Sequence, residues 1–328
     1  MNKKEFDLSL KIGAKKLHQA RKKFYEVSNR HHIKFLDGKG VIKKKYLIKR
    51  VCPLCKKENK VFLFYKNGGK YNLCNKCEMI YLNPCFKDKE LENYYKNMHD
   101  MQSKTLDNEK KFYEKIYNHG LKIIEKKVIE KKNKNLLDIG CSNGLFLDLA
   151  KMRGYETYGV ELNSKEFNIV KKKHVACNIN YINLYNYVKF KFDVITMWDV
   201  IEHIKNIDQL ANTIKKLLKP KGLFFFQTPN SFSLATRILK DKCNLFDGIE
   251  HVNLFNFNNI NYLAKKFGFK LLIAESVISE IPVINNYINF RNIYLGEKKK
   301  DELSIINENE IHDKKLGYKM QVLFEVLK

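Results

Sequence analysis

Leu136-Leu-Asp-Ile-Gly-Cys-Ser-Asn-Gly144 is a short apolar run carrying one acid, followed by a turn through two glycines and then by Leu145-Phe146-Leu147. A run this short, bounded by turn residues, reads as a strand buried in a parallel sheet, and the apolar spacing after it reads as a helix. Gly140 and Gly144 allow a backbone to approach a ligand closely where a Cβ would clash. Ser142 stands where the dinucleotide fingerprint G-x-G-x-x-G needs glycine. Such a turn is not shaped for a pyrophosphate and suits an adenosyl ligand better.

Outward from this stretch the same grammar repeats. Thr157–Val160, Phe192–Thr196 and Leu223–Gln227 are further apolar runs, and helices are expected around 144–153, 163–173 and 206–219. Alternation of strand and helix predicts an α/β fold with a Rossmann-like, doubly wound and mostly parallel sheet. Lys270–Ala274 and Tyr318–Leu327 are expected to form a last pair of strands, with the asparagine- and lysine-rich stretch 279–315 as an insertion. Glu161 ends the second run seventeen residues beyond Gly144. An acid at the tip of a second strand suits the two hydroxyls of a ribose.

The N-terminal third has a different character. Cys52-Pro-Leu-Cys55 and Cys74-Asn-Lys-Cys77 are two C-x-x-C knuckles with 18 residues between them. Each knuckle sets two thiolates on one tight turn, and the spacing predicts a zinc ribbon over 50–86. Asn67-Gly68-Gly69 lies between the runs Val61–Tyr65 and Met79–Leu82, which signals the hairpin that brings the knuckles together. Four thiolates close the coordination sphere, so the zinc is expected to be structural. Cys85, Cys141, Cys177 and Cys243 lie outside the pattern. Residues 1–49 are a basic extension in which Ile12, Leu17, Ala20, Phe24 and Val27 recur at helical spacing. Residues 87–133 read as a helical connector, and 134–328 as the α/β domain.

With 62 Lys and Arg against 36 Asp and Glu, the formal charge is +26, which raises nucleic acid as a partner. Arginine, the better bidentate reader of phosphates and bases, occurs only at 21, 30, 50, 153, 237 and 291. The lysines are spread along the chain, as on a solvated surface. No apolar run is long enough for a membrane span and the first residues lack a secretory signal, so a cytoplasmic location is expected.

The segments LLDIGCSNG (136–144), GVEL (159–162), FDVITMWDVIEH (192–203) and LLKPKGLFFFQTPN (217–230) together resemble class I S-adenosylmethionine-dependent methyltransferases. The nearest type resembles enzymes with an N-terminal zinc ribbon that modify sugars in glycan pathways. The join after the ribbon, Tyr81-Leu-Asn-Pro84 and then Tyr94-Tyr95, is similar too. The resemblance implies that Asp138, Gly140, Ser142 and Gly144 surround the methionyl part of the cofactor, with Cys141 contributing its backbone. It implies Glu161 at the ribose, Leu162 against the adenine, Asn183 and Leu184 at the adenine edge, and Trp198, Asp199 and Val200 closing the pocket. This sequence has no acid near 183, where the family commonly carries one.

Methyl transfer to a protonated nucleophile needs a base, and histidine titrates in a suitable range. His203 and His251 match histidines common in such enzymes and are the candidate catalytic residues, with Glu202 or Asp199 placed to orient His203 or to join it around a divalent ion. The expected acceptor is a small molecule, a sugar or nucleotide-sugar methylated on oxygen or carbon. One competing reading is an RNA methyltransferase that grips RNA through the ribbon and basic N-terminus. Another is a non-enzymatic zinc-ribbon binding protein with a vestigial cofactor fold. No Asn-Pro-Pro-aromatic motif follows the fourth strand, so methylation of base amino groups is not signalled.

Overall fold

The computed structural model describes residues 30, 32–98, 109–128, 133–295 and 307–327. The helix expected through Ile12–Val27 lies outside them, as does the middle of the expected insertion. In chain order the strands are β1 (Leu47–Ile48), β2 (Lys60–Lys66), β3 (Gly69–Cys74), β4 (Ile80–Leu82) and β5 (Cys85–Phe86). Next come β6 (Lys134–Ile139), β7 (Tyr155–Val160), β8 (Val175–Cys177), β9 (Phe192–Trp198) and β10 (Leu218–Pro229). The last are β11 (Asn253–Leu254), β12 (Phe269–Val277) and β13 (Lys319–Val326). Among the described residues no helix is long and apolar enough to cross a membrane.

The chain forms two compact units, and neither is a single stretch of sequence. The first to describe comprises Lys110–Thr228, Ile260–Ala274 and Gln321–Lys328. Its sheet has the order β12-β13-β10-β9-β6-β7-β8, with β10 parallel to β9, β9 to β6, β6 to β7 and β7 to β8. From β6 the chain winds outward through β7 and β8, then returns to the other side of β6 for β9 and β10. The switch point of this doubly wound sheet therefore lies between β6 and β9, where open α/β sheets bind ligands. β9 and the second half of β6 are buried, as strands inside a parallel sheet are, which is why they read as continuous apolar runs.

Side-chain caps start the helices. Asn163 accepts from the amides of Lys165 and Glu166 before the helix Ser164–Val170, and Asn206 accepts from Gln209 before Ile207–Leu217. The expected last strand pair is present as β12 and β13. β10 starts earlier than the apolar run Leu223–Gln227 because Leu218 also pairs with β9, across a register shift at Lys219–Gly222. The short β8 carries no strong sequence signal. The helix Lys110–Glu125 buries Phe112, Ile116, Leu121, Ile123 and Ile124 within this unit.

The second unit comprises Met1–Glu109, Pro229–Asn259 and Glu275–Met320. β2 and β3 form a hairpin closed by Asn67 (φ 46°) and Gly68 (φ 81°). Both φ values are positive, as a two-residue type I′ turn requires. The sheet order is β11-β4-β3-β2, so the segment after β10 supplies a fourth strand to the cysteine-bearing hairpin. Arg50 secures the junction, its Nε donating to Leu82 O at 2.9 Å and its Nη2 to Val252 O. Tyr71, Leu82, Leu245, Phe246, Val252 and Ile284 share one core, in which the ribbon and the two later segments bury their apolar faces together.

Candidate active site

At the end of β6 the backbone turns left-handed at Gly140 (φ 81°), Ser142 (φ 48°) and Gly144 (φ 84°). A Cβ on Gly140 would stand 2.6 Å from Val200 Cγ2, and one on Gly144 2.9 Å from Val170 Cγ2. The amides of Gly140 and Cys141 both donate to Val160 O, at 2.8 and 3.1 Å, tying the turn to the end of β7. Glu161 completes the tie: its Oε2 accepts from the Ser142 amide at 2.8 Å and its Oε1 from the Asn163 amide at 2.7 Å. A carboxylate has about four lone-pair sites, so roughly two remain for further donors. Ser142 Oγ is buried and has no hydrogen-bond partner.

Asp138 is buried one residue before the end of β6, where Thr196 of β9 donates its hydroxyl to Oδ1 at 2.6 Å. Burial pushes this carboxyl up to about 7, the Thr196 bond opposing and the charge of Glu161 reinforcing the shift. The Cys141 side chain packs against Gly159, where a Cβ would lie 2.7 Å from its Sγ, so only its backbone belongs to the turn. Burial pushes that thiol up as well. Leu162 is 63% exposed beyond β7, and Asn178 fixes the loop by donating Nδ2 to Glu161 O and Leu162 O. Asn183 ends the 3-10 turn Tyr181–Asn183 and is exposed, whereas Leu184 is in the core.

Trp198 ends β9 inside an aromatic box, with ring centroids 4.7 Å from Tyr117, 5.0 Å from Phe146 and 4.9 Å from Phe225. Gly120 makes room for it: a Cβ there would sit 2.3 Å from the indole edge. Core packing thus holds this ring, while its Nε1 is buried without a partner. Asp199 follows with φ 54°, its amide donating to Gln227 O at 3.0 Å. Glu202 is fully buried in the 3-10 turn Ile201–His203 and accepts the Thr228 hydroxyl at 3.0 Å. His203, half-buried, closes that turn.

His251 belongs to the other compact unit. Its Nδ1 lies 2.6 Å from Leu245 O and 3.5 Å from Asp247 Oδ2. A carbonyl only accepts, so Nδ1 carries the proton and Nε2 is the basic nitrogen of the neutral ring. Asp247 pins the loop by accepting from the amides of Ile249, Glu250 and His251. Burial pushes the neighbouring Glu250 carboxyl up to about 7, reinforced by Asp247 and opposed by His251 and by a hydrogen bond with Tyr94.

In the same unit Cys52, Cys55, Cys74 and Cys77 are all buried, with their sulfurs within 4.8 Å of one another. Cys52 and Cys77 are 3.5 Å apart and Cys55 and Cys74 3.4 Å. Sulfurs around a tetrahedral zinc stand about 3.8 Å apart for Zn–S bonds of about 2.3 Å, so the set fits that ion. The two knuckles are built alike. Lys56 (φ 60°) and Glu78 (φ 56°) follow the second cysteine of each pair, and their amides donate to Cys52 O and Cys74 O. The Cys52 thiol is held low by a bond from the Cys77 thiol and by the amides of Cys55 and Leu54, against the opposing effect of burial.

Sequence reasoning did not single out Thr196, Tyr117, Gly120, Asn163, Asn178, Gln227 or Glu250. Only Asn163 had a local signal, as a cap residue before a helix. Thr196 is defined by its register opposite Asp138, and Tyr117 and Gly120 by a helix distant in sequence.

Residues 110–273, half of the chain, match the family model described as "Methyltransferase domain". The chain belongs to the methyltransferase domain family. The doubly wound sheet and the glycine turn at its switch point are in keeping with that membership. Part of this methyltransferase domain is 31% identical over 116 residues to a ubiquinone biosynthesis O-methyltransferase of Coxiella burnetii, covering 34% of this chain and 49% of that one. A protein of the same name from Pelagibacter ubique is 34% identical over 104 residues, covering 30% of this chain and 43% of the relative. The chain thus spans about half the length of the curated relatives it matches. A solved S-adenosylmethionine-dependent methyltransferase from Archaeoglobus fulgidus superposes with a TM-score of 0.42 at 16% identity, covering 65% of this chain and 98% of that one.

Proposed function

We propose that this methyltransferase domain binds S-adenosylmethionine at the switch point of its sheet and directs its methyl group to a small-molecule acceptor. The observation that carries this reading is the cradle between β6 and β7: two glycines that admit no Cβ, a buried unpartnered Ser142 hydroxyl, and Glu161 locked across the turn. Asp138, Gly140, Ser142 and Gly144, with the Cys141 backbone, surround the methionyl group. Glu161 holds the ribose hydroxyls, Leu162 offers exposed apolar surface to the adenine, and Asn183 and Leu184 stand at its edge. Trp198, Asp199 and Val200 close the β9 side. S-adenosylmethionine supplies an electrophilic methyl group on a positively charged sulfur. Calorimetry should find micromolar binding, about −8 kcal/mol. Glu161→Ala should cost about 1.5–3 kcal/mol of that by removing a charged acceptor. Absence of binding to the purified wild type rejects the reading.

For the acceptor we propose a hydroxyl of a sugar or nucleotide-linked sugar. The resemblance of the four motifs supports the sugar, and relatives named for O-methylation support oxygen as the accepting atom. A hydroxyl needs a proton acceptor, and His251 or His203 fills that role; the Nδ1–H tautomer of His251 leaves Nε2 as its base. Substituting the base by alanine should lower turnover by about 10²–10⁴ with cofactor affinity unchanged. Methyl incorporation should be seen with nucleotide-sugars in an acceptor panel that also holds phenols and RNA; incorporation confined to either of those rejects the sugar. The four ribbon cysteines hold one structural zinc in this reading, and with every position a thiolate they leave no place for a reacting water.

A further inference from the structure

A polar ladder crosses three neighbouring strands in the interior of the sheet unit. Gln321 on β13 donates Nε2 to Gln227 Oε1 on β10 at 3.0 Å, and Gln227 donates Nε2 to Asp199 Oδ2 at 3.1 Å. Both glutamines are essentially fully buried. Burying two amides is costly unless they are hydrogen-bonded, and Gln321 Oε1 remains without a partner. The direction of the ladder is set at one end. An ionised carboxylate only accepts, so Gln227 must turn its NH₂ to Asp199 and its oxygen to Gln321; flipping it would set oxygen against oxygen. Asp199 is gripped twice, since its own amide donates to Gln227 O. The grip holds the residue at φ 54°, a conformation that aspartate accepts more readily than most residues.

Strand order places Asp199 beside the glycine turn. β6 lies between β7 and β9. Glu161 extends from β7 to one flank of the glycine turn, and Asp199 follows β9 on the other. Val200, next to Asp199, packs directly on Gly140. A ligand laid across the turn with its ribose at Glu161 has its far, methionyl end on the Asp199 side. That end carries an ammonium; Asp138 lies beneath the turn, bonded to Thr196, and Asp199 is the acid that follows β9 beside it. We propose that Gln227 and Gln321 are positioning residues that hold the Asp199 carboxylate for the α-ammonium group of the cofactor. This rests on the cofactor reading above.

The test compares three ligands by calorimetry: S-adenosylhomocysteine, its analogue lacking the α-amino group, and 5′-methylthioadenosine, which lacks the whole amino-acid end. Wild type should bind the deaminated analogue about tenfold more weakly than S-adenosylhomocysteine, the scale of one charged hydrogen bond. Gln227→Met keeps length and volume but removes the donor. It should weaken S-adenosylhomocysteine by about tenfold and leave 5′-methylthioadenosine within about twofold, and Gln321→Met should do the same by about threefold. A merely structural ladder would weaken both ligands alike, and that outcome overturns the proposal. So does equal wild-type affinity for S-adenosylhomocysteine and its deaminated analogue, a comparison that stands even if a variant fails to fold. Wild type that binds none of the three overturns the cofactor reading itself.

Discussion

Asp138 shows how one buried residue links the site to stability. Its folded value of about 7 lies above the ordinary 3.8 because burial disfavours the carboxylate. Between those values the folded chain keeps a proton that the unfolded chain has released. The contribution is therefore fully present below the unfolded value and is lost as pH rises through about 7. Asp138→Asn retains an oxygen for the Thr196 hydroxyl and removes the titration. In urea unfolding, wild type should lose stability relative to this variant between about pH 4 and 7 and change little above that. A difference that does not change with pH would show that Asp138 is not titrating there. The acid and the glycines around it were readable because their spacing is local. Thr196, which donates to Asp138, was not, because its position depends on the register between β6 and β9.

Among elements, the ribbon is the clearest case of sequence grammar fixing geometry. Two C-x-x-C turns, each followed by a left-handed residue, and an Asn-Gly hairpin need no distant contacts to be recognised. Metal analysis should find one zinc per chain, and Cys74→Ser should lose it with unfolding around 50–84; full zinc in that variant would mean a different ligand set. The partner elements of the ribbon were not readable. Gly69 and Gly248 meet backbone to backbone, a Cβ on Gly248 (φ 87°) falling 2.1 Å from Lys66 O. Gly248→Ala should cost about 1–3 kcal/mol, seen as a lower melting temperature, since it adds left-handed strain to a clash with main chain. Unchanged melting would mean that the loop before His251 yields freely.

At the scale of the whole molecule the excess of lysine makes salt the informative variable. A nucleotide-sugar carries two phosphates and should show a shallow salt response. An RNA contact neutralising six or more phosphates should lose roughly a thousandfold in affinity between about 50 and 200 mM salt. A shallow dependence of acceptor binding is expected here. A steep one, with methyl groups recovered in RNA, would place the substrate among nucleic acids. The rarity of arginine supports the first outcome, because lysine gives charge without bidentate readout.

By itself the sequence determined the doubly wound sheet, its glycine turn, the acid at the tip of the second strand and the paired cysteines. Each of these is a pattern of neighbours along the chain, set by apolar periodicity, glycine φ or ligand spacing. The sequence reading ran in consecutive segments, whereas the compact units do not. The tertiary structure joined 229–259 and 275–320 to the ribbon, added β11 to its sheet, and gave the helix Lys110–Glu125 to the methyltransferase sheet unit. It also aligned Gln321, Gln227 and Asp199 across three strands. Those outcomes depend on which apolar faces find each other and on strand register between residues distant in sequence, as in the pairing of Asn253 with Tyr81. One-residue shifts in that register exchange buried for exposed side chains while leaving local composition unchanged.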